Sequence, residues 1–170
     1  IDMAARLYTV EEAKKNGVKL VYVNTRDIAD VNKELRKYSE KGFDDVFIFA
    51  PNEEMVTYGV KMLAFDGCLN FFSGPADQEF SSRVNFYNIH YNSTHFVGTS
   101  GGNTEDMKQS IELIESKTVN VAKIATHILG LDHAVETTKA LPELEGSKKI
   151  VYTHKKFPLT EVDKFDENSD

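Results

Sequence analysis

The chain has one cysteine, Cys68, in 170 residues. An internal disulfide and a thiolate metal cluster are thereby excluded, and a reducing cytoplasm is the simplest setting. Long apolar runs are missing too. Hydrophobic residues make up 41% of the chain, yet no stretch approaches the roughly 20 apolar residues that span a bilayer, so no membrane association is expected. Positive charge is scarce: a net charge of −7 and a pI near 5.3 argue against nucleic acid, whose phosphates need a basic footprint. Lys14-Lys15, Lys148-Lys149 and Lys155-Lys156 are scattered pairs of the kind that are mostly solvated. Neither G-x-G-x-x-G nor G-x-x-x-x-G-K-[ST] occurs, so no glycine loop of this sequence cradles a phosphate. H-E-x-x-H and G-x-S-x-G are also absent, which leaves Ser73 and Ser100 weak candidates for a hydrolase nucleophile. The five histidines do not form a metal set. His90 and His95 would point to opposite faces of an extended strand, and His127 and His133 fall on different elements, so no metal site is expected. The first residues, Ile1-Asp2-Met3-Ala4-Ala5-Arg6, carry no signal-peptide pattern. With Met3 behind two other residues, they read as the start of a fragment.

What is present is an alternation of strand and helix signals. Residues 3–15 predict a helix ending at Asn16-Gly17, and residues 18–23 (Val-Lys-Leu-Val-Tyr-Val) predict a strand. Asp27 opens a helix with Ile28, Val31, Leu35 and Tyr38 on its buried stripe, stopped by Gly42. Residues 46–49 (Val-Phe-Ile-Phe) are apolar on both faces, as in a central parallel strand. Pro51-Asn52 breaks it, and Glu53-Glu54 favour the first turn of a helix whose stripe is Met55, Val56, Val60 and Leu63, closed by Asp66-Gly67. Residues 68–72 predict a third strand, ended by Ser73-Gly74-Pro75. An irregular stretch over 76–88 precedes a short strand at 94–97. After Gly98-Thr99-Ser100-Gly101-Gly102, Asn103 or Thr104 caps a helix with Met107, Ile111 and Ile114 inward. Beyond that come a short strand at 124–127, a helix over 133–141 capped by Asp132 and stopped by Pro142, a strand at 149–152, and a charged tail that frays after Phe165. The repeated β-α-β spacing predicts an α/β fold, part of a doubly wound parallel sheet in three αβα layers. Residues 1–125 are expected to carry this partial sheet domain, and 126–170 a return segment that packs on the sheet or reaches another domain.

In such a sheet, ligands bind beyond the carboxyl ends of the strands. Three turns there are rich in small residues: Ala50-Pro51, Ser73-Gly74-Pro75 and Thr99-Ser100-Gly101-Gly102. Glycine lets backbone N–H and C=O groups approach a flat ligand directly, although glycine and proline also punctuate turns with no ligand nearby.

Five segments, in order, resemble the medium-chain, zinc-type alcohol and polyol dehydrogenases. These are Phe43-Asp44-Asp45-Val46-Phe47, Asp66-Gly67-Cys68-Leu69-Asn70-Phe71-Phe72-Ser73-Gly74, Val97-Gly98-Thr99-Ser100-Gly101-Gly102, the Ile124-Ala125-Thr126-His127 return with Leu131 and Ala134, and Gly146-Ser147-Lys148-Lys149-Ile150-Val151. Within that family, residues 85–95 together with 68–72 resemble the L-sorbose-1-phosphate reductase (sorbitol-dehydrogenase-like) branch. The resemblance implies a Rossmann-type fold and an oxidoreductase that interconverts a sugar-phosphate or polyol carbonyl and its alcohol. It implies that Ala50 and Pro51 lie beside the adenosine or ribose of the cofactor. Phe72, Ser73 and Gly74, with Thr99, Ser100 and Gly101, would flank the nicotinamide and offer backbone groups to its carboxamide, and Lys149 would approach the phosphates. No catalytic residue is implied here. The glycine fingerprint and the catalytic domain, with its zinc ligands and proton relay, would precede residue 1, so the chain alone is expected to be inactive. NAD and NADP both stay open, because the residue that sets this choice belongs to a strand end outside the sequence. Asp2 fits either that ribose-binding acid or a helix-leading aspartate. The family pattern also implies a homodimer or tetramer formed through residues 94–97, an edge that would otherwise be an aggregation liability. A non-catalytic α/β regulatory or assembly module is the alternative.

Overall fold

Local capping starts most of the helices. In the computed structural model, which describes residues 1–165, the side chains of Thr9, Asp30, Asn52 and Asn85 accept the backbone N–H of Glu12, Lys33, Met55 and Tyr87, each satisfying a donor that a helix start leaves free. The elements run α1 (Asp2–Leu7), α2 (Val10–Lys15), α3 (Val31–Arg36), β1 (Phe43–Ile48), α4 (Glu53–Met62), β2 (Leu63–Phe71), α5 (Phe86–Tyr91), β3 (His95–Gly98), α6 (Thr104–Glu115), β4 (Ala125–Gly130), α7 (Ala134–Ala140), β5 (Lys148–Tyr152) and β6 (Thr160–Glu161). They fall into two units. One is Tyr22–Met107; the other gathers Ile1–Val21 and the residues from Lys108 onward.

The Tyr22–Met107 unit holds a three-stranded sheet, β1-β2-β3, all parallel. Pairing aligns Val46 with Leu69 and Phe96, and Ile48 with Phe71 and Gly98. Side chains alternate across a strand, so this set shares the face against which α4 packs. Ile48, Val56, Val60, Leu63 and Leu69 form the buried core, with Val46, Phe71, Phe80 and Phe96 around it. Each fully buried aliphatic side chain contributes about 1.5–3 kcal/mol. Phe80 stacks on Phe71 with ring centres 5.7 Å apart, which ties the loop after β2 to that core. Gly59 sets how closely α4 approaches. A Cβ there would meet Ile48 at 3.0 Å, Leu69 at 3.1 Å and Val46 at 3.2 Å.

The other unit carries a second three-stranded sheet, β5-β4-β6, in which β4 runs parallel to β5 and antiparallel to β6. Leu129 is its fully buried residue. Lys123 donates to both carboxylate oxygens of Glu12 at 2.9 Å and lies 5.3 Å over the Tyr8 ring, joining α1 and α2 to the turn before β4.

The α/β architecture with parallel strands agrees with the expectation from sequence, and several boundaries do not. Residues 18–23 join neither sheet, because a strand exists only beside a partner, and this run spans the passage between the units. The helix expected over 3–15 breaks at Tyr8, where Thr9 caps a second helix; serine and threonine compete with helical backbone in this way. Leu63 leaves α4 with extended backbone and starts β2, so Asp66-Gly67 lies inside the strand rather than closing the helix. There the register jumps between Phe43 opposite Leu63 and Asp45 opposite Cys68, and Asp66 takes φ 59°. A short apolar run fits either period, which hides this switch in the sequence. The stretch expected to be irregular ends in α5. Asn103 caps α6 through Glu105 N–H and Asp106 N–H, but Met107, Ile111 and Ile114 are exposed. Periodicity encodes an apolar face without supplying what covers it. At α7, His133 rather than Asp132 is the cap residue, after a single 3-10 turn. The fraying expected after Phe165 lies outside the described residues.

Two glycine substitutions separate packing from turn geometry. Gly59→Val should destabilise the protein by about 2 kcal/mol or more through overpacking. Gly74→Ala, where an added Cβ meets nothing within 4 Å, should change stability by less than about 0.5 kcal/mol. Urea unfolding midpoints of the two variants check both.

Candidate functional site

The parallel register brings Ile48, Phe71 and Gly98 to one level. The turns that follow therefore leave the sheet along one edge, and the expected residues Ala50, Pro51, Phe72, Ser73, Gly74, Thr99, Ser100 and Gly101 all lie on them. Strand ends are fastened across the first two turns. Ile48 C=O accepts both Phe72 N–H and Ser73 Oγ, each at 3.0 Å. The Ser73 hydroxyl is thus spent on structure, which weakens it further as a nucleophile. In the third turn Thr99 Oγ1 donates to Gly101 C=O at 3.3 Å, and Gly101 takes φ +74°, a conformation that favours glycine.

The rim is open. A Cβ added at Gly74 or Gly101 would meet no atom within 4 Å, and one added at Gly98 would meet only Phe71 C=O at 3.4 Å. A flat group can reach backbone polar atoms here without displacing a side chain. Exposed aromatic rings flank it: Phe49 stands edge-on to Phe72 with centres 5.6 Å apart and stacks on Phe47 at 6.3 Å. Phe49 was not singled out from sequence, although the doubly apolar Val-Phe-Ile-Phe run carries its signal. Asn70 was missed as well. It sits beside Phe47 and Val97 in the register, and its side-chain oxygen is buried with no hydrogen-bond partner.

Within α4, Tyr58 donates to Glu54 at 2.5 Å, and that bond to a carboxylate raises the phenol above its ordinary pKa. Lys149 lies in β5, in the other unit, where its ammonium donates to Glu145 C=O at 2.9 Å and Ser147 C=O at 3.0 Å. Among the described residues, no three or more His, Cys, Asp or Glu side chains converge to hold a metal ion, and no helix is long and apolar enough to cross a membrane.

A family model described as zinc-binding dehydrogenase matches residues 5–116. The chain belongs to the zinc-binding dehydrogenase family. It is 58% identical to the L-sorbose 1-phosphate reductase of Klebsiella pneumoniae over 119 residues, which cover 70% of this chain and 29% of that protein. It is 42% identical to the mannitol-1-phosphate 5-dehydrogenase of Aliivibrio fischeri (strain ATCC 700601 / ES114) over 166 residues, 97% of this chain and 39% of that protein. Among solved structures, 2R,3R-butanediol dehydrogenase from Bacillus subtilis superposes with a TM-score of 0.66 at 16% identity, covering 85% of this chain and 40% of that one. That likeness shows the fold alone. This chain spans well under half the length of each.

The fastening at Ile48 has a measurable consequence. In Ser73→Ala the Ile48 carbonyl keeps the Phe72 N–H, so no acceptor is orphaned and the loss should stay below about 1 kcal/mol. Hydrogen exchange at the Phe72 amide should quicken by less than about tenfold.

Proposed function

We propose that this chain is the nicotinamide-facing part of an oxidoreductase that interconverts a sugar-phosphate or polyol carbonyl and its alcohol with NAD or NADP. Family membership and the names of the two relatives support the reaction class. The observation that carries the site is the set of three open turns leaving one sheet edge at one level. When bound, the dinucleotide supplies hydride transfer.

This chain's own residues orient it. Ala50 and Pro51 border the adenosine or ribose. Backbone groups of Phe72, Ser73, Gly74, Thr99, Ser100 and Gly101 meet the carboxamide, and the Phe49 and Phe72 rings keep water from that edge. Lys149 is the basic residue assigned to the phosphates; residues 1–125 are the cofactor part and 126–170 the return segment. The described residues do not fit a zinc ion, so no step of this chain runs through one. With β3 at the edge of its sheet, residues 94–97 are the pairing edge of a homodimer or tetramer. A reducing cytoplasm suits the single thiol.

Titration with NADH and then NADPH, followed by backbone amide shifts, tests the assignment. Shifts confined to residues 50–51, 72–74 and 99–102 are expected, with no reduction of a sugar phosphate by this chain alone. Silence with both cofactors favours a non-catalytic α/β module. Steady-state turnover by this polypeptide would overturn the assignment of a purely orienting role.

A further inference from the structure

Of the asparagines in the chain, only Asn16 is followed by glycine. It caps the C-terminal end of α2, a helix of 6 residues with none buried, and both Asn16 and Gly17 are exposed. Gly17 takes φ +74°, and a Cβ built there would meet nothing within 4 Å. Hydrogen bonds close this end of the helix. Asn16 Nδ2 donates to Glu12 C=O at 3.0 Å, Gly17 N–H to Lys14 C=O at 3.1 Å and Val18 N–H to Ala13 C=O at 2.9 Å. At the other end, Thr9 Oγ1 accepts Glu12 N–H at 3.1 Å.

An asparagine side-chain amide is open to attack by the backbone nitrogen of the next residue. The Gly17 amide gives its proton to a hydroxide ion, and its nitrogen bonds to Asn16 Cγ. The bond from Cγ to Nδ2 breaks, and that nitrogen takes a proton from water and leaves as ammonia. Water then opens the cyclic succinimide at either carbonyl, leaving aspartate or isoaspartate. Water is the co-reactant consumed. A side chain at the following position obstructs the attack, whereas glycine lets backbone and reacting group approach closely. Two bonds stand in its way: the attacking N–H is held by Lys14 C=O and the attacked amide by Glu12 C=O. Both belong to the last turn of a short, unburied helix, which is marginal by itself in water and opens locally at little cost.

We propose that Asn16 is a site of spontaneous deamidation, gated by opening of the last turn of α2. The reaction follows the population of the open turn, so whatever holds α2 sets its rate. Its product disturbs the helix that admitted it. A carboxylate at residue 16 cannot donate to Glu12 C=O, and it adds negative charge at the negative end of the helix. Isoaspartate also lengthens the main chain by a methylene, which shifts the Gly17 and Val18 N–H groups from their acceptors. Glu12 carries the ion pair to Lys123, so the damage falls beside the link between α2 and the turn before β4.

Peptide mapping by mass spectrometry of the purified chain, aged in neutral buffer, tests this. Conversion is expected at residue 16 ahead of every other asparagine, as a mixture of aspartate and isoaspartate. It should run slower than in the same chain unfolded in denaturant, where the turn is always open. Thr9→Ala removes the cap of α2 and should quicken conversion at least about threefold, whereas Thr9→Ser keeps the cap and should not. Asn16→Gln, whose longer side chain closes the ring poorly, should abolish conversion at this position. Hydrogen exchange at the Gly17 and Val18 amides should quicken in the aged chain. An Asn16 still intact after the unfolded chain has fully converted would refute the site. Earlier reaction at another asparagine, such as Asn92 before Ser93, would refute it too. Equal rates in Thr9→Ala and the wild-type chain would refute the gate.

Discussion

The carbonyl of Ile48 accepts two donors from the next crossover, Phe72 N–H and Ser73 Oγ, and the level of the whole candidate edge depends on that join. One residue earlier or later, the side-chain alternation of β1 against β2 would invert. Val46 and Ile48 would then turn away from α4, and the turns at Ala50 and Phe72 would leave the sheet at different heights. The same register passes through Phe71 to Gly98, which places the third turn beside the first two. The layout of this edge is therefore a by-product of core packing: the α4-facing row decides the register, and the register decides where backbone polar groups emerge.

Gly59 is the counterpart of that constraint on the helix side. Its missing side chain lets α4 sit within contact of Val46, Ile48 and Leu69, so the helix fastens β1 and β2 together over the rows that lead to the edge. The sheet is then held from one face by aliphatic packing and at its end by backbone hydrogen bonds. Side chains at the open rim are left with little structural duty. Ser73 and Thr99 are the exceptions, their hydroxyls donating to Ile48 C=O and Gly101 C=O. This division explains why an edge built largely from glycine, alanine, proline and serine can be positioned accurately without being filled.

Much of this was legible in the sequence for identifiable reasons. Val46, Ile48, Leu69 and Phe71 were readable as strands because apolar runs bounded by Pro51 and by Ser73-Gly74-Pro75 leave few other conformations. The edge was readable because small residues follow each of those strands. The passage from α4 into β2 was not, since Met62-Leu63-Ala64-Phe65 suits both periods and the irregularity at Asp66 depends on β1, where pairing jumps from Phe43–Leu63 to Asp45–Cys68. Residues 18–23 show the opposite failure: strong strand preference, no strand beside them. The stripe on α6 is similar, a pattern without a covering surface. Phe49 escaped notice because a residue apolar on the second face of a strand looks like core until the exposed face is seen.

β3 leads into the candidate site and is also the edge strand of its sheet. Its last residue, Gly98, lies level with Phe71 and leads directly into Thr99, Ser100 and Gly101, while its outer side has no strand neighbour in the sheet. Four residues paired on one side only make a weak strand. The Thr99 turn inherits that weakness, since Gly101 in a left-handed conformation and one 3.3 Å hydrogen bond are modest restraints. Pairing β3 on its open side would add ladder hydrogen bonds along the strand that carries this turn. The third wall of the edge would then be ordered by a neighbour's backbone, without any side chain of that neighbour entering the site.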